Sequence, residues 1–427
     1  MSPSRARRRL GALGTAMAGL AGLLLPLFGA GEAAAATGIK VDNGRVYEAN
    51  GNEFVMRGVN HAHTWYPDRA GSIADIAAKG ANTVRVVLSS GDRWTRTSAS
   101  EVSSLIGQCK ASKVICVLEV HDTTGYGEDG AAATLDQAAN YWIGVKSALA
   151  GQESYVVVNI GNEPYGNTDY AAWTGATKNA IVKLRNAGLD HALMVDAPNW
   201  GQDWSHTMRD NAASVFAADP DRNTIFSIHM YGVYDTAAEV QSYLGHFVNN
   251  RLPVVIGEFG DNHSDGNPDE NAIMATAQSL RVGYLGWSWS GNGSGVEYLD
   301  MVNGFDAGSL TSWGRRFFDG ANGIAATSRP ATVYGGGTGG GGGTAPNGYP
   351  YCANGSASDP DGDGWGWESS RSCVVRGSAA DTGSTGPGTA PNGYPYCANG
   401  SASDPDGDGW GWENSRSCVV RGSAADR

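Results

Sequence analysis

Between Phe54 and Trp287 short apolar runs recur, each followed by a segment whose apolar residues have helical spacing. The runs are Phe54–Val59, Thr83–Leu88, Val114–Val120, Tyr155–Ile160, Leu193–Asp196, Thr224–Ile228, Pro253–Ile256 and Val282–Trp287. They are continuous rather than alternating, the mark of strands buried on both faces. Between them, Ser72 with Asp75 opens a helix that Gly80 closes. Ser98 and Glu101 form a capping box ahead of Val102, Leu105, Ile106 and Cys109. Thr134 with Gln137 caps a helix carrying Leu135, Ala138, Trp142, Val145 and Leu149. Eight such units predict an α/β chain folded as a (β/α)8 TIM barrel. A doubly wound open sheet is the structural rival.

The N-terminus stands apart. Arg5, Arg7, Arg8 and Arg9 precede an apolar stretch from Leu10 to Phe28 and an Ala-rich segment ending at Ala36. That order makes residues 1–36 an export signal, and the protein is expected to be secreted and extracellular. The large folded region is placed at 37–328. A Gly-rich linker that cannot pack follows at 329–343. Beyond it lies an internal repeat, 344–381 and 389–427, joined by a spacer at 382–388. Thr344–Asp381 and Thr389–Asp426 differ only in Ser369 against Asn414.

The net charge is −13, and four arginines of the leader are among the few clustered cations. The mature chain therefore offers no basic patch for nucleic acid and would be repelled by anionic lipid, so neither nucleic acid nor membrane is an expected partner. A neutral partner such as a glycan fits, and a monomer is expected. Six cysteines in an exported chain read as disulfides. Cys352 with Cys373 and Cys397 with Cys418 share one spacing, so one bridge per repeat is the natural pairing. Cys109 with Cys116 is assigned as a third, two buried thiols being the alternative.

In a barrel of this kind the active site lies at the C-terminal ends of the strands. The apolar runs end in Asn60-His61, Arg85, His121-Asp122, Asn162-Glu163, His229-Met230-Tyr231, Glu258 and Trp287. One glutamate there would be an ion-pair residue. Two, in Asn-Glu-Pro and Gly-Glu-Phe settings, point to paired carboxyl chemistry. Glycosidic cleavage needs such a pair: one acid protonates the leaving oxygen while the other carboxylate attacks or activates water. Their pKa values must be held apart, and Arg85 and Tyr231 suit the one kept ionised. Zinc is the rival use of the histidines, but no His-Glu-x-x-His occurs, and no nucleophile elbow supports Ser-His-Asp chemistry. No metal and no cofactor are expected.

The segments VVVNIGNEPY (156–165), VIGEFG (255–260), LEVHD (118–122), SIHMY (227–231) and GWSWS (286–290) resemble glycoside hydrolase family 5. MRGVNHAHTWY (56–66) together with LEVHDTTGYGE is most similar to its bacterial β-mannanases. The resemblance covers about residues 37 to 320. It implies Glu163 as acid/base and Glu258 as nucleophile of a retaining double displacement, with Arg85, His121, Asn162, His229, Tyr231 and Trp287 in the remaining active-site positions. Asn162 would bond the sugar 2-OH, His229 and Tyr231 would orient the glutamates, and Trp287 would face a pyranose ring. His61, His63, Trp65 and Trp200 are further candidate substrate contacts, against a reading as packed core or loop; Trp204 stands beside Trp200 with the same two readings. Retention implies carboxyl groups about 5–5.5 Å apart.

Each repeat is too short to bury much apolar surface and needs its disulfide. Tyr351, Trp365 and Trp367, and their counterparts Tyr396, Trp410 and Trp412, are candidates for stacking on sugar rings; their alternative is to be the module's own core. CANGSASDPDGDGWGWE resembles carbohydrate-binding module family 10, which is linked to crystalline cellulose. That pattern commonly has four cysteines and these copies have two, so the tail's ligand stays open between cellulose and other glycans. Asp359, Asp361, Asp363 and Gly364 match half an EF-hand loop, as do Asp404, Asp406, Asp408 and Gly409, but the twelfth position is Ser370 or Ser415, and an acidic turn is expected. The whole reads as an endo-acting enzyme on β-mannan or a related plant polysaccharide. An endo-β-1,4-glucanase of the same family and a non-catalytic glycan-binding protein are the alternatives.

Overall fold

Eight parallel strands close on themselves. They are β3 (Arg57–His61), β4 (Thr83–Leu88), β5 (Ile115–Val120), β6 (Val156–Asn159), β7 (Ala192–Asp196), β8 (Thr224–Met230), β9 (Val254–Phe259) and β10 (Gly283–Gly286), following a short hairpin of β1 (Lys40–Asp42) and β2 (Arg45–Tyr47). Each barrel strand pairs with the next, and β10 returns to β3. The computed structural model describes residues 38–334 without a break. In the tail it describes residues 345, 349–352, 358–359, 364–368, 371–375, 378–381, 390, 394, 396–397, 400–413 and 416–426, without the side chains of 367, 368, 371, 379 and 416. The leader at 1–36, the glycine run to residue 343 and the spacer at 382–388 lie outside the described residues.

The helices are α1 (Ser72–Ala78), α2 (Ala99–Ala111), α3 (Leu135–Gly144), α4 (Lys146–Leu149), α5 (Trp173–Asn186), α6 (Thr207–Ala218), α7 (Ala237–Asn249), α8 (Glu270–Leu280), α9 (Ser312–Asp319) and α10 (Ile324–Thr327). Both expected capping boxes form, Ser98 with Glu101 on α2 and Thr134 with Gln137 on α3. The face of α2 that is buried is Val102, Leu105, Ile106 and Cys109, as its spacing requires. Ser72, by contrast, is the first helical residue of α1 and caps nothing. Gly80 does close that helix, at φ +92°, with the Ala81 amide bonded back to the Ile76 carbonyl at 3.4 Å.

Alternation along the strands sorts their residues into two layers. Ile115, Val117, Val157, Met194, Ile225 and Val255 fill the barrel interior, while Val84, Leu118, Val158, Val195 and Ile256 face the helices. The run expected at 54–59 therefore divides. The strand starts at Arg57, and Phe54 and Met56 join Ile39 and Val46 of the N-terminal hairpin as a floor under the barrel. Hydrophobicity alone does not separate a floor residue from a strand residue. Asn43-Gly44, both at positive φ, makes the two-residue turn of that hairpin.

The linker begins later than expected. Ala331 is buried in the floor, the Thr332 and Val333 amides donate to Glu48 at 2.9 and 2.6 Å, and Tyr334 donates to the Val114 carbonyl at 2.7 Å. Residues 329–334 thus belong to the barrel domain. Cys109, in α2, is bonded to Cys116 in β5, with a Cα–Cα distance of 5.8 Å. In the tail, β11 (Trp365–Glu368) with β12 (Arg371–Val374) and β13 (Trp410–Glu413) with β14 (Arg416–Val419) form two hairpins of the same register, with disulfides Cys352–Cys373 and Cys397–Cys418. Removing the α2 cap by Ser98→Ala should cost about 1 kcal/mol and lower the melting temperature of the barrel by a few degrees in calorimetry.

Candidate active site

Arg85 enters the barrel from the middle of β4 and is fully buried. Its Nη1 donates to Glu258 Oε1 at 2.7 Å and to Asn60 Oδ1 at 2.9 Å. Nη2 donates to Asn162 Oδ1 at 2.8 Å and Asp196 Oδ2 at 2.9 Å, and Nε to Asn159 Oδ1 at 2.9 Å. Burial would weaken the hold of this guanidinium on its proton, but Glu119, Asp196 and Glu258 outweigh it and raise its pKa. The same balance, led by burial and reversed by Arg85 and His229, lowers Asp196 to about 2.

Glu258 reaches the site through an irregularity of β9. Ile228 of β8 pairs with Ile256, but His229 pairs with Glu258, so Gly257 is an extra residue. Without that bulge Glu258 would share the outward face of Ile256; with it, Glu258 turns inward. Gly257 must lack a side chain, since a Cβ there would lie 2.2 Å from Ser227 Oγ. Tyr231 donates to Glu258 Oε2 at 2.9 Å. Burial raises the Glu258 pKa, His229 and Arg85 oppose it, Glu163 adds to it, and the balance stays above the ordinary value. Both oxygens nevertheless face donors, the pattern a carboxylate satisfies.

Glu163 lies beyond β6 at φ +38° and accepts from His229 Nδ1 at 2.7 Å. An oxygen of Glu163, one of Glu258 and a nitrogen of His229 lie within 4.8 Å of one another. Nδ1 of His229 is also 3.6 Å from Glu258 Oε2, and its Nε2 is 3.3 Å from Asp196 Oδ2, off the line of a straight hydrogen bond. Burial disfavours the imidazolium, but Glu258 and Asp196, with the bond to Glu163, push its pKa up to about 10. Gly201 packs against this contact: a Cβ there would meet His229 Nδ1 at 2.6 Å and Glu163 Oε1 at 2.8 Å.

An aromatic wall completes the mouth. His121 Nδ1 meets Glu119 Oε1 at 2.9 Å, and its ring stacks on Trp287 at 5.7 Å and 23°. Trp65, 37% exposed, stands edge-on to His121 and to Trp94 at 5.1 and 5.3 Å. Trp287 is held through Nε1 to Asn292 at 2.8 Å, and its peptide to Ser288 is cis. Asn162 Nδ2 donates to Thr124 Oγ1 at 2.8 Å. Trp200 donates to Glu128 at 3.0 Å, and the exposed Trp204 to Asn167 at 2.7 Å. Trp289 is core.

Two expected contacts are not in this mouth. His61 follows Val59 on the outward face of β3 and is fully buried; burial and then His63 lower its pKa to about 3. His63 is buried too, with Nε2 2.9 Å from Glu101 of α2. The strand period turns Asn60 inward in their place. Asn159, Asp196, Trp94 and Glu128 join the site without being among the residues expected there. The first two had a legible signal, since each shares strand parity with an inward neighbour, Val157 and Met194.

In the tail, Trp410 and Trp412 lie on one face of β13 and are 37% and 67% exposed. Trp365 and Tyr351 instead pack half-buried against Ala345, Val374 and Ala380, and the Tyr351 and Tyr396 hydroxyls bond Asp381 and Asp426. These tyrosines serve the module's interior, because so small a unit has few other apolar groups. The Trp367 side chain lies outside the described residues. Asp404 accepts the amides of Gly407 and Gly409, both at 2.9 Å, an acidic turn holding its own backbone.

Residues 47–293 match the family model described as cellulase (glycosyl hydrolase family 5), and residues 342–375 and 387–420 match one described as a cellulose or protein binding domain. The chain is 80% identical over 364 residues to a mannan endo-1,4-beta-mannosidase of Streptomyces lividans, covering 84% of this chain and 95% of that one. It is 52% identical over 368 residues to the mannan endo-1,4-beta-mannosidase of Cellvibrio japonicus, covering 84% of each. A solved beta-mannanase from Thermomonospora fusca superposes with a TM-score of 0.69 at 61% identity, over 70% of this chain and 100% of that one. With a closed eight-stranded barrel under these matches, the chain belongs to glycosyl hydrolase family 5.

Proposed function

We propose that this chain is an exported, retaining endo-β-1,4-mannanase whose tail modules hold it on plant polysaccharide. The observation that carries the catalytic part is the placing of Glu163 and Glu258 in one mouth, with oxygens within 4.8 Å. That closeness lies on the short side of the spacing an inverting pair needs and so favours retention. Mannan as substrate is supported by the relatives named mannan endo-1,4-beta-mannosidase. The rival glucanase reading draws on the cellulase description of the family model and on a 56% identical relative named beta-mannanase/endoglucanase A.

The chemistry follows from the neighbours. Glu258, held by Arg85 and Tyr231, attacks the anomeric carbon as a carboxylate while Glu163 gives its proton to the departing glycosidic oxygen. The C–O bond to the leaving sugar breaks as the bond to Glu258 forms. Glu163, now a carboxylate beside the His229 imidazolium, then takes a proton from water as that water displaces Glu258. Trp287 and Trp65 offer faces to sugar rings at the mouth. The leader pattern supports export, and no helix among the described residues is long and apolar enough to cross a membrane. The exposed Trp410 and Trp412 support glycan contact by the tail.

The purified chain should release reducing sugar from locust bean gum far faster than from carboxymethylcellulose, and Glu258→Ala should remove that activity by roughly 10⁴-fold or more with the circular dichroism unchanged. The reverse substrate preference would replace the mannanase reading with the glucanase one. Glu258 must be ionised to attack, so rate falls as pH drops through its raised pKa, and the acid limb of kcat/KM should lie above the range of an ordinary glutamate. Tyr231→Phe removes a donor to the carboxylate and should move that limb to still higher pH. Truncation before Thr344 should spare turnover of soluble mannan and weaken retention on insoluble polysaccharide; equal retention would reduce the tail to a spacer.

A further inference from the structure

We infer that Asp196 is a positioning residue that fixes His229 as an imidazolium against Glu163 and couples it, through Arg85, to Glu258. The inference rests on the acid/base reading of Glu163 given above. Asp196 ends β7 with 1% of its surface exposed. Its Oδ2 lies 2.9 Å from Arg85 Nη2, 3.3 Å from His229 Nε2 and 3.4 Å from the Glu163 amide nitrogen, and its Oδ1 accepts from Asn159 Nδ2 at 3.0 Å. His229 Nδ1 is 2.7 Å from Glu163 Oε1. One carboxylate thus reaches the backbone of Glu163, the ring that bonds its side chain, and the cation that bonds Glu258.

The charges around the ring make the consequence definite. His229 faces Glu163 from the loop after β6, Asp196 from β7 and Glu258 from β9. Arg85, from β4, lies on the far side of Asp196 and Glu258, and Tyr231 turns its hydroxyl to Glu258. Nδ1 is bonded to Glu163 and Nε2 lies within ion-pair distance of Asp196, a setting that favours a proton on each. With Asp196 in place, the ring keeps its charge as Glu163 gives up its proton and takes one back, and it stabilises the Glu163 carboxylate formed between the two steps. Remove the Asp196 charge, and Arg85 loses a partner while His229 is left nearer an unbalanced cation. The ring then deprotonates at lower pH, and Glu163 is left beside a neutral neighbour that competes for its proton. Asp196 acts through other residues, both of its oxygens being taken up by protein groups.

The test is Asp196→Asn in the full chain, read three ways. In chain labelled with ¹⁵N-histidine, with His229 assigned through His229→Gln, both ring nitrogens should stay protonated from about pH 5 to 9 in the parent, and one should titrate within that range in the variant. The kcat on soluble mannan should fall about 10²-fold with KM little changed, and the pH–rate profile should gain a limb at the pH where the ring titrates. A ring that stays doubly protonated in the variant, with an unmoved pH profile, overturns the inference even if kcat falls. If the variant does not fold, the parent titration decides alone: a midpoint below about 7, near that of an unperturbed histidine, overturns it. Glu163→Gln separates the two readings, because hydrolysis that survives it removes the acid/base assignment, whereas a dead Glu163→Gln with an unmoved His229 titration in Asp196→Asn removes only the role of Asp196.

Discussion

A guanidinium taken wholly out of water costs on the order of several kcal/mol, and it is tolerated only where its donors are met. Arg85 is such a group. Its acceptors come from β3, β6, the loop after β6, β7 and β9, so saturation is reached only when the barrel has closed. The arginine therefore makes its demand on the whole fold rather than on a neighbour. Four of its acceptors are Asn60, Asn159, Asn162 and Asp196, and the fifth is Glu258, the proposed nucleophile. The network that stabilises the closed barrel and the network that orients Glu258 are one network.

Geometry around that hub depends on two small departures from regular structure. The bulge at Gly257 reverses the direction of the side chains beyond it and brings Glu258 inward, opposite His229. The left-handed conformation of Glu163 turns its carboxyl back toward the same ring, and Gly201 leaves space for the contact. Each departure is placed where a side chain would collide: Gly257 against Ser227, Gly201 against the Glu163–His229 bond. A left-handed residue and two closely packed glycines thus sit at the carboxyl pair, with the regular layers of Val, Ile and Leu around it holding the backbone in place.

Much of this was legible in the sequence, for reasons that differ by element. Thr83–Leu88 was read with its true limits because its apolar residues are bounded by turn and cap residues on both sides. The α2 face and its capping box were legible because both are set within a few residues. Phe54 and Met56 carry no local sign that they lie outside the strand, because a floor residue and a strand residue are equally apolar. The residue order shows that His61 stands at a strand end but not which way it points. Residues 329–334 carry no local sign of belonging to the barrel, because the group that bonds the Thr332 and Val333 amides is Glu48, nearly 300 residues earlier.

By itself, then, the sequence determined the number of βα units, the capping boxes of α2 and α3, one bridge in each tail repeat and the identity of two strand-end glutamates, all properties that repeat period, spacing and residue chemistry carry locally. Tertiary structure alone decided that Asn60 rather than His61 faces the site, that Asp196 joins it, that Glu258 turns inward, and that one arginine ties the two glutamates to a common frame. The reason is physical. Side-chain direction follows from register, which a single bulge reverses, and the charge state of a buried group follows from partners brought together only when eight strands close.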